Sequence, residues 1–133
     1  MNPERIEREL LCLRAGSQSA ELFSAGRPVV LYRDVPTAGV PLGLPAITDV
    51  VVPVPAGYPA SPIDLAGLPI GSPFLKCVRG GQNSQGVVRV DGRDWQLASY
   101  HPHANGGGPP WDQARHGFHT YMDHLIAWLH KLN

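Results

Sequence analysis

Apolar residues recur at helical spacing near both ends of this 133-residue chain. Ile6, Leu10 and Leu13 are separated by three or four residues, which is typical of one face of an amphipathic helix. Because Pro3 also suits the first turn of a helix, we expect a helix over Pro3–Ala15. A second apolar stripe predicts a helix over residues 113–132, with an apolar face formed by Phe118, Tyr121, Met122, Leu125, Trp128, Leu129 and Leu132.

Between these helices, short apolar runs rich in β-branched residues favour strands. We expect strands at residues 28–32, 47–54 and 74–78, and a short extra turn at residues 20–24. Two further runs, residues 87–90 and 95–98, flank Asp91-Gly92, and an Asp-Gly pair supplies the positive φ angles of a tight hairpin turn. The pattern therefore predicts an antiparallel sheet that ends in a hairpin.

Prolines and glycines recur every few residues in the stretch 55–73. Because a proline lacks a backbone N–H, this stretch predicts neither a helix nor a central strand, but an irregular, packed segment. Its expected apolar anchors are Tyr58, Ile63, Leu65 and Leu68. The sequence therefore predicts a single α+β domain over residues 1–133, with an N-terminal helix, an antiparallel meander sheet, an irregular Pro/Gly-rich segment and a long C-terminal helix.

The charge balance and the cysteine count narrow the classes of partner. The 11 Lys and Arg residues match the 11 Asp and Glu residues, so no basic surface for nucleic acid is expected. No apolar run approaches the length of a membrane span, and the first residues do not resemble a signal peptide. Two cysteines are too few for a disulfide framework, and we expect both as reduced, mostly buried thiols, with Cys12 in the core. These features predict a cytoplasmic protein that binds neither nucleic acid nor membranes.

The candidate chemistry lies in residues 91–111, where a strand runs into a Ser-Tyr-His-Pro-His cluster and a glycine run. Ser99 is a candidate nucleophile, because residues two apart in an extended chain share a side and His101 then lies beside it as a general base. His103 is the alternative base, and Asn105 is a candidate oxyanion donor together with the glycine amides that follow it. The structural alternative is a serine that ends a strand by bonding to nearby backbone.

Two other chemistries stay open at this point. Cys77 is the rival nucleophile, although its apolar neighbours also suit a small buried side chain. The histidines suggest a metal site on a loop and one helix face, formed by His101, His103, His116, His119 and Asp123. Against a metal or nucleotide cofactor, the chain has no Cys-x-x-Cys or His-Glu-x-x-His motif, and the glycine run lacks the lysine of a phosphate loop. We therefore predict no cofactor and no metal.

Several short motifs occur in a characteristic order along the chain. The opening ERIERELLCL is followed by Tyr58-Pro59-Ala60-Ser61-Pro62, and then by the pattern Asp-Gly-Arg-x-Trp-Gln at residues 91–96. Ser-x-His at residues 99–101, Trp111 and a helix that ends in Trp128-Leu129 complete the series. In this order, the motifs resemble those of ubiquitin-conjugating enzymes, and most closely a bacterial branch found beside ubiquitin-like proteins and activating enzymes.

This resemblance implies a UBC-like fold and an acyl carrier function. Such a carrier accepts a ubiquitin-like modifier from an activating enzyme and transfers it to an amine of a protein target, here in a system expected to act in antiphage defence. In the eukaryotic family, a His-Pro-Asn motif precedes a catalytic cysteine. This chain has His101-Pro102-His103 instead and no cysteine after Cys77.

The resemblance therefore implies an oxyester on Ser99, with Trp111, His116 and His119 as candidate residues lining the site. It also implies that the first helix docks the activating enzyme through basic residues: Arg5, Arg8 and Arg14. Two alternatives remain. One is a catalytically inactive UBC-like adaptor that binds a modifier or an activating enzyme, and the other is a metal-dependent hydrolase built on the histidines.

Overall fold

The structure is a computed structural model that describes residues 3–24, 27–99 and 111–132, with the backbone alone described for Ser99. Its elements in chain order are helix α1 (Pro3–Ala15), strands β1 (Ala20–Phe23), β2 (Val29–Pro36), β3 (Ile47–Pro53), β4 (Leu65–Pro69), β5 (Val87–Val90) and β6 (Arg93–Ser99), and helix α2 (Phe118–His130). Two 3-10 helices, Val40–Leu42 and Pro73–Lys76, lie in the connections. The predicted α+β class, with a helix near each end of the chain and an antiparallel sheet between them, is confirmed.

The six strands form one curled antiparallel sheet in the order β1-β2-β3-β4-β6-β5. β1 to β4 form an antiparallel meander, although only β2 and β3 were predicted as strands. β4 then pairs with β6 and not with β5, so the meander prediction is wrong for the hairpin. The reason is that β6 buries Trp95 and Leu97 completely, whereas β5 exposes Val87 and takes the edge. The predicted hairpin turn is confirmed, with φ angles of 53° at Asp91 and 75° at Gly92.

Strand β4 corrects the prediction for residues 55–73, because this stretch contains a central strand. Gly67 is suited to that place: a Cβ there would lie 2.7 Å from Val51 Cγ2 and 3.0 Å from Leu97 Cδ2, so only glycine lets the three strands approach this closely. The rest of the stretch is irregular, as predicted. Three of its four expected anchors are buried, namely Tyr58, Ile63 and Leu68.

Two short segments between the helices differ from their predictions. Residues 20–24 do not form an extra turn, because Ala20–Phe23 pairs with β2 as an edge strand. Residues 74–78 do not form a strand, because the 3-10 helix Pro73–Lys76 begins there. The Ser72 hydroxyl caps this helix by accepting from the Phe74 N–H (3.3 Å), and a proline suits its first position.

Helix α2 begins five residues later than the apolar stripe suggested. Asp112 folds the preceding residues into a turn: its carboxylate accepts from the Ala114 N–H (3.0 Å), and its carbonyl accepts from the N–H groups of Arg115 and His116. Gly117 is fully extended and ends this turn, so the helix starts only at Phe118. Helix α1 has the bounds that were predicted for it.

Both helices pack on one face of the sheet and form the main core with it. A second, smaller cluster lies on the other face, where the curl of the sheet covers Val29, Leu31, Val51, Val90, Trp95 and Leu97. Ion pairs bridge the curled strands on this side, since Arg33 contacts Asp91 (3.2 Å) and Arg93 contacts Asp49 (3.3 Å). Within the described ranges, neither helix combines the length and the apolar character needed to cross a bilayer.

The register of the strands defines two ends of the sheet. Val29 pairs with Pro53, Val51 pairs with Gly67, and Leu65 pairs with Ser99, so β2 and β4 begin at the end where β3 and β6 finish. We call this the Ser99 end. The loop between β2 and β3 and the 3-10 helix Pro73–Lys76 lie at the opposite end, which we call the Cys77 end.

Candidate functional site

The backbone of Ser99 lies where β6 leaves the sheet, opposite the first residue of β4. This agrees with the expected position at the end of a strand. The Ser99 side chain, together with His101, His103 and Asn105, lies outside the described residues. The predicted arrangement of nucleophile, base and oxyanion donor therefore stays a prediction.

Cys77, the rival nucleophile, lies at the other end of the sheet. It follows the 3-10 helix and is half-buried, and its Sγ lies 3.8 Å from the Pro73 carbonyl oxygen. The five residues of β4 alone separate the two ends by roughly 13 Å, at about 3.3 Å per residue. The structure therefore places the two candidate nucleophiles in different surroundings, and they cannot belong to one site.

Cys12 is exposed, and its predicted place in the core is wrong. On α1, the buried stripe passes through Ile6, Leu10 and Leu13. Because consecutive residues of a helix are rotated by about 100°, a side chain two positions after Leu10 points away from that stripe. The apolar neighbours of Cys12 in sequence were misleading, since Leu11 is itself 59% exposed.

A buried carboxylate organises the start of α2. Glu9 is only 6% exposed, and it accepts hydrogen bonds from the Tyr58 hydroxyl, from the Phe118 N–H (3.1 Å) and from Arg5 Nε (2.8 Å). Gly117 leaves room for this carboxylate, because a Cβ there would lie 2.3 Å from Glu9 Oε2. The carboxylate thus joins α1, the irregular segment and α2 at a single point.

Tyr58 contributes a neutral donor to this cluster. Burial raises the pKa of its hydroxyl well above the ordinary value, and the hydrogen bond to Glu9 and the negative charge of Glu9 raise it further. The ring also packs at tilted angles against Phe118 (centroids 5.1 Å apart) and Trp111 (6.2 Å). Tyr58 is therefore held by a polar contact at its tip and by aromatic contacts along its ring.

Arg5 ties α1 to the turn before α2. Its guanidinium donates to the backbone carbonyls of Gln113 and His116, the second at 2.9 Å, in addition to its contact with Glu9. Arg14 is engaged similarly, since it donates to the Ala20 carbonyl through Nε (3.1 Å) and Nη2 (2.8 Å). Of the three arginines that the resemblance offered as docking contacts, these two have internal roles.

The three candidate lining residues lie beside this cluster. The Trp111 indole N–H donates to the Pro59 carbonyl (2.9 Å), and its ring lies 5.7 Å from the imidazole of His116. His116 Nδ1 accepts from the Asp112 N–H (2.9 Å), so the neutral ring carries its proton on Nε2. His119 Nδ1 faces Glu9 Oε2 at 3.9 Å, too far for a hydrogen bond, with the side chain 33% exposed.

Nothing in the described part of the chain forms a metal centre. No group of three or more His, Cys, Asp and Glu residues there could hold a metal ion. His116 is committed to its own turn through Nδ1, while His119 faces α1. The predicted His-x-His pair at residues 101–103 lies outside the described ranges. The other predicted ligands, His116, His119 and Asp123, are described and form no such group among the described residues.

Sequence reasoning missed Glu9, the residue around which the region is organised. A signal was present, because Glu9 lies three residues after Ile6 and four before Leu13, on the buried face of α1. A carboxylate on an apolar stripe requires partners for its charge. Its partner Tyr58 was identified as an apolar anchor and as part of the Tyr-Pro motif, but not as a hydrogen-bond donor.

Comparisons with protein families, with curated proteins and with solved structures gave no match for this chain.

Proposed function

We propose that this protein is a ubiquitin-conjugating-enzyme-like acyl carrier that holds a ubiquitin-like modifier as an ester on Ser99 and passes it to an amine of a protein target. Its partners in this proposal are an activating enzyme, the modifier and the target. The chemistry needs no metal or organic cofactor in the carrier itself, because the activating enzyme supplies the modifier as an activated acyl group.

One observation carries the proposal: three distant motifs on which the resemblance rests meet at the Ser99 end. The first helix supplies Glu9, the Tyr-Pro segment supplies Tyr58, and the turn before the last helix supplies Trp111. The Trp111 indole bonds to the carbonyl of Pro59, and the Phe118 N–H bonds to Glu9. A chance resemblance among three short motifs gives no reason for them to contact one another.

The same observation favours Ser99 over Cys77. The strand that ends at Ser99 finishes at the end of the sheet where the Tyr-Pro segment connects β3 to β4. Cys77 lies at the opposite end, where its neighbouring helix contacts the β2–β3 loop: a Cβ on Gly39 would lie 3.0 Å from the Phe74 ring. Among the described hydrogen bonds, the residues after Cys77 accept from the Trp128 indole N–H (2.9 Å, at Arg79) and from the Gln96 amide (3.0 Å, at Gly81), but not from the first helix, the Tyr-Pro segment or the turn before the last helix.

The proposed transfer has two acyl steps. In the first, the Ser99 oxygen attacks the thioester carbonyl carbon of the activated modifier, and a C–O bond forms as the C–S bond breaks. A histidine, His101 or His103, takes the serine proton and returns it to the departing thiolate. In the second step, an amine nitrogen attacks the ester carbonyl, the C–N bond forms, and the C–O bond breaks. The nitrogen loses a proton and the serine oxygen regains one.

The test is adduct formation with an activating enzyme, a ubiquitin-like modifier encoded in the same operon, and ATP. We expect an adduct that survives reducing agent, is cleaved by mild base and is absent in Ser99→Ala. Ser84→Ala is the matched control, because Ser84 is an exposed serine on another loop.

Each other outcome selects a different function. An adduct that is lost in Cys77→Ala and retained in Ser99→Ala moves the nucleophile to the Cys77 end. The absence of any adduct, together with stable binding of the modifier or activating enzyme, identifies an inactive adaptor. Loss of a hydrolytic activity on treatment with chelators identifies the metal-dependent hydrolase.

A further inference from the structure

A cleft of about 220 Å³ opens between α1 and the segment where α2 begins. Six residues line it, namely Arg5, Arg8, Glu9, Cys12, Ala114 and His119. The first four belong to α1, Ala114 belongs to the turn before α2, and His119 lies in the first turn of α2. We call this feature the Cys12 cleft. The two acyl steps proposed above use neither its thiol nor its imidazole.

Cys12 is the more accessible of the two thiols. It is exposed and lines the cleft, whereas Cys77 is half-buried with its Sγ 3.8 Å from the Pro73 carbonyl oxygen. A reactive thiol needs access to solvent and a neighbouring group that takes its proton or stabilises its negative charge. Cys12 meets the first requirement, and Cys77 provides a comparison within the same chain.

His119 supplies a proton acceptor on the opposite wall of the cleft. Its Nδ1 is buried without a hydrogen-bond partner among the described residues, and it lies 3.9 Å from Glu9 Oε2. The side chain as a whole is 33% exposed, so its accessible atoms are others than Nδ1. A carboxylate beside Nδ1 favours the neutral ring with its proton on that nitrogen, which leaves Nε2 as the proton acceptor.

Arg8 gives the cleft an available positive charge. The guanidinium of Arg5 already pairs with Glu9, whereas Arg8 is exposed and takes part in none of the ion pairs described on α1. Arg8 lies four residues before Cys12, and side chains at this spacing are neighbours on one face of a helix. A positive charge in this position stabilises a thiolate and attracts an anionic reactant.

The cleft suits thiol–disulfide exchange better than acyl transfer. Acyl transfer relies on donors for an oxyanion, often backbone N–H groups. The Ala114 N–H donates to the Asp112 carboxylate (3.0 Å), and the N–H groups of Glu9 and Cys12 lie beyond the first turn of α1, where they bond within the helix. Exchange requires only a thiolate, a proton acceptor and room for a disulfide.

The volume of the cleft limits how much of a reactant it can enclose. Sites that enclose a whole small molecule usually measure about 300–1,000 Å³. At about 220 Å³, the Cys12 cleft is smaller than that range. It therefore suits a disulfide bond and a neighbouring carboxylate, with the rest of the reactant in solvent.

We propose that Cys12 is a modification site that forms a mixed disulfide with a small disulfide bearing carboxylates. His119 takes the thiol proton, and the Cys12 sulfur attacks one sulfur of the reactant. The new S–S bond forms as the old one breaks, and the departing thiolate takes the proton from His119. The small disulfide is the oxidant, and Arg8 binds its carboxylate. This modification does not involve Ser99 and so goes beyond the carrier function.

Two disulfides test the site, the anionic glutathione disulfide and the uncharged bis(2-hydroxyethyl) disulfide. Cys77→Ser leaves Cys12 as the sole thiol of the chain, and Cys12→Ser leaves Cys77. With glutathione disulfide at about pH 7, mass spectrometry should show one mixed disulfide on Cys12, formed at least tenfold faster than on Cys77. Equal rates at the two cysteines would overturn the proposal.

Arg8→Gln tests the preference for an anionic reactant in the Cys77→Ser background. It should slow the reaction with glutathione disulfide about two- to fivefold, the range expected for an exposed ion pair, and slow the reaction with the uncharged disulfide less. Arg89→Gln is the matched control, because Arg89 is exposed elsewhere. If Arg8→Gln leaves the ratio of the two rates unchanged, the proposed contact with a carboxylate is wrong.

His119→Gln tests the proton acceptor in the same background. The variant should react at least tenfold more slowly than its parent at about pH 7, where a thiol is mostly protonated and depends on a base. The difference should narrow by about pH 9.5, where thiols ionise without help. His130→Gln is the control, because His130 is exposed at the other end of α2. Parallel pH profiles for His119→Gln and its parent would exclude His119 as the base.

Discussion

The two ends of the sheet are built differently. At the Ser99 end, α1, the Tyr-Pro segment and the turn before α2 are joined by side chains, with Glu9 accepting from Tyr58, Phe118 and Arg5. At the Cys77 end, hydrogen bonds between segments end on backbone carbonyls, such as those from the Ala38 N–H to Leu129 (3.1 Å) and from the Trp128 indole N–H to Arg79 (2.9 Å). Exposed apolar side chains surround that end, including Val40, Leu42 and Ile47.

This difference bears on which end carries function. A buried carboxylate with three donors fixes the relative positions of segments far apart in sequence, because each donor loses its partner if one segment moves. The Ser99 end thus has the rigid support that a reacting group requires, whereas no described residue of the Cys77 end is a buried carboxylate that joins three segments.

The largest effect is expected from Glu9→Leu. This change leaves the Tyr58 hydroxyl and the Phe118 N–H without their acceptor, while Arg5 keeps its bonds to the Gln113 and His116 carbonyls. Each buried donor that loses its partner costs about 1–3 kcal/mol of unfolding free energy. Urea denaturation measures the loss. Glu9→Gln, which keeps one acceptor oxygen, should lose less and allows the measurement if the leucine variant does not fold.

Two control substitutions sharpen the comparison between the ends. Glu7→Leu changes an exposed glutamate on the same helix, and Leu42→Ser changes an exposed side chain at the Cys77 end. Both should change the unfolding free energy by no more than about 0.5 kcal/mol. If Leu42→Ser destabilises the fold as much as Glu9→Leu does, the proposed contrast between the two ends is wrong.

An intermediate effect is expected from Gly117→Ala. The added Cβ would lie 2.3 Å from Glu9 Oε2, and the carboxylate cannot move away without breaking its hydrogen bonds. Overpacking of this kind costs about 1–3 kcal/mol, measured again by urea denaturation. Gly16→Ala is the control, because its Cβ would meet nothing nearer than 3.5 Å. Equal stability of the two alanine variants would show that the Glu9 carboxylate is not held in place.

Local patterns were sufficient to predict much of the fold. The i, i+4 spacing of apolar residues fixed α1, and the Asp91-Gly92 pair fixed the hairpin turn. The pairing of β6 with β4 was not predictable in this way, because it depends on which strand of the hairpin is buried on both faces. The strand around Gly67 was missed for a related reason: glycine disfavours a strand in isolation, and only its two neighbours make it suitable.

The candidate site was less accessible to such reasoning. Trp111, His116 and His119 were identified as a group, and they do lie close to Glu9 and Tyr58. Two of the contacts that hold them there join distant residues: Trp111 donates to Pro59, 52 positions away, and the His116 carbonyl accepts from Arg5, 111 positions away. A single sequence shows which residues can ionise, but not which distant segment supplies their partners.

The smallest effect, and the most specific, is expected from Tyr58→Phe at alkaline pH. Tyr58 has a higher pKa in the folded protein than the ordinary value of about 10, because of burial and of its bond to Glu9. Below about pH 10, the ordinary pKa, the hydroxyl is protonated in both the folded and the unfolded state, and its contribution to stability is complete. As the pH rises further, the unfolded chain loses the proton first, so the wild type loses stability by up to about 1.4 kcal/mol per pH unit from this group.

Tyr58→Phe lacks this contribution, so its unfolding free energy should fall less steeply between about pH 9 and pH 11. The phenylalanine variant is the less stable of the two at pH 9, because it lacks the hydrogen bond to Glu9, and the difference should narrow as the pH rises. Urea denaturation at several pH values measures this difference, and titration of the other tyrosines and lysines cancels between the two proteins. Parallel pH profiles would mean that the Tyr58 hydroxyl does not meet Glu9 in the folded state, and the polar junction at the Ser99 end would then lose its central contact.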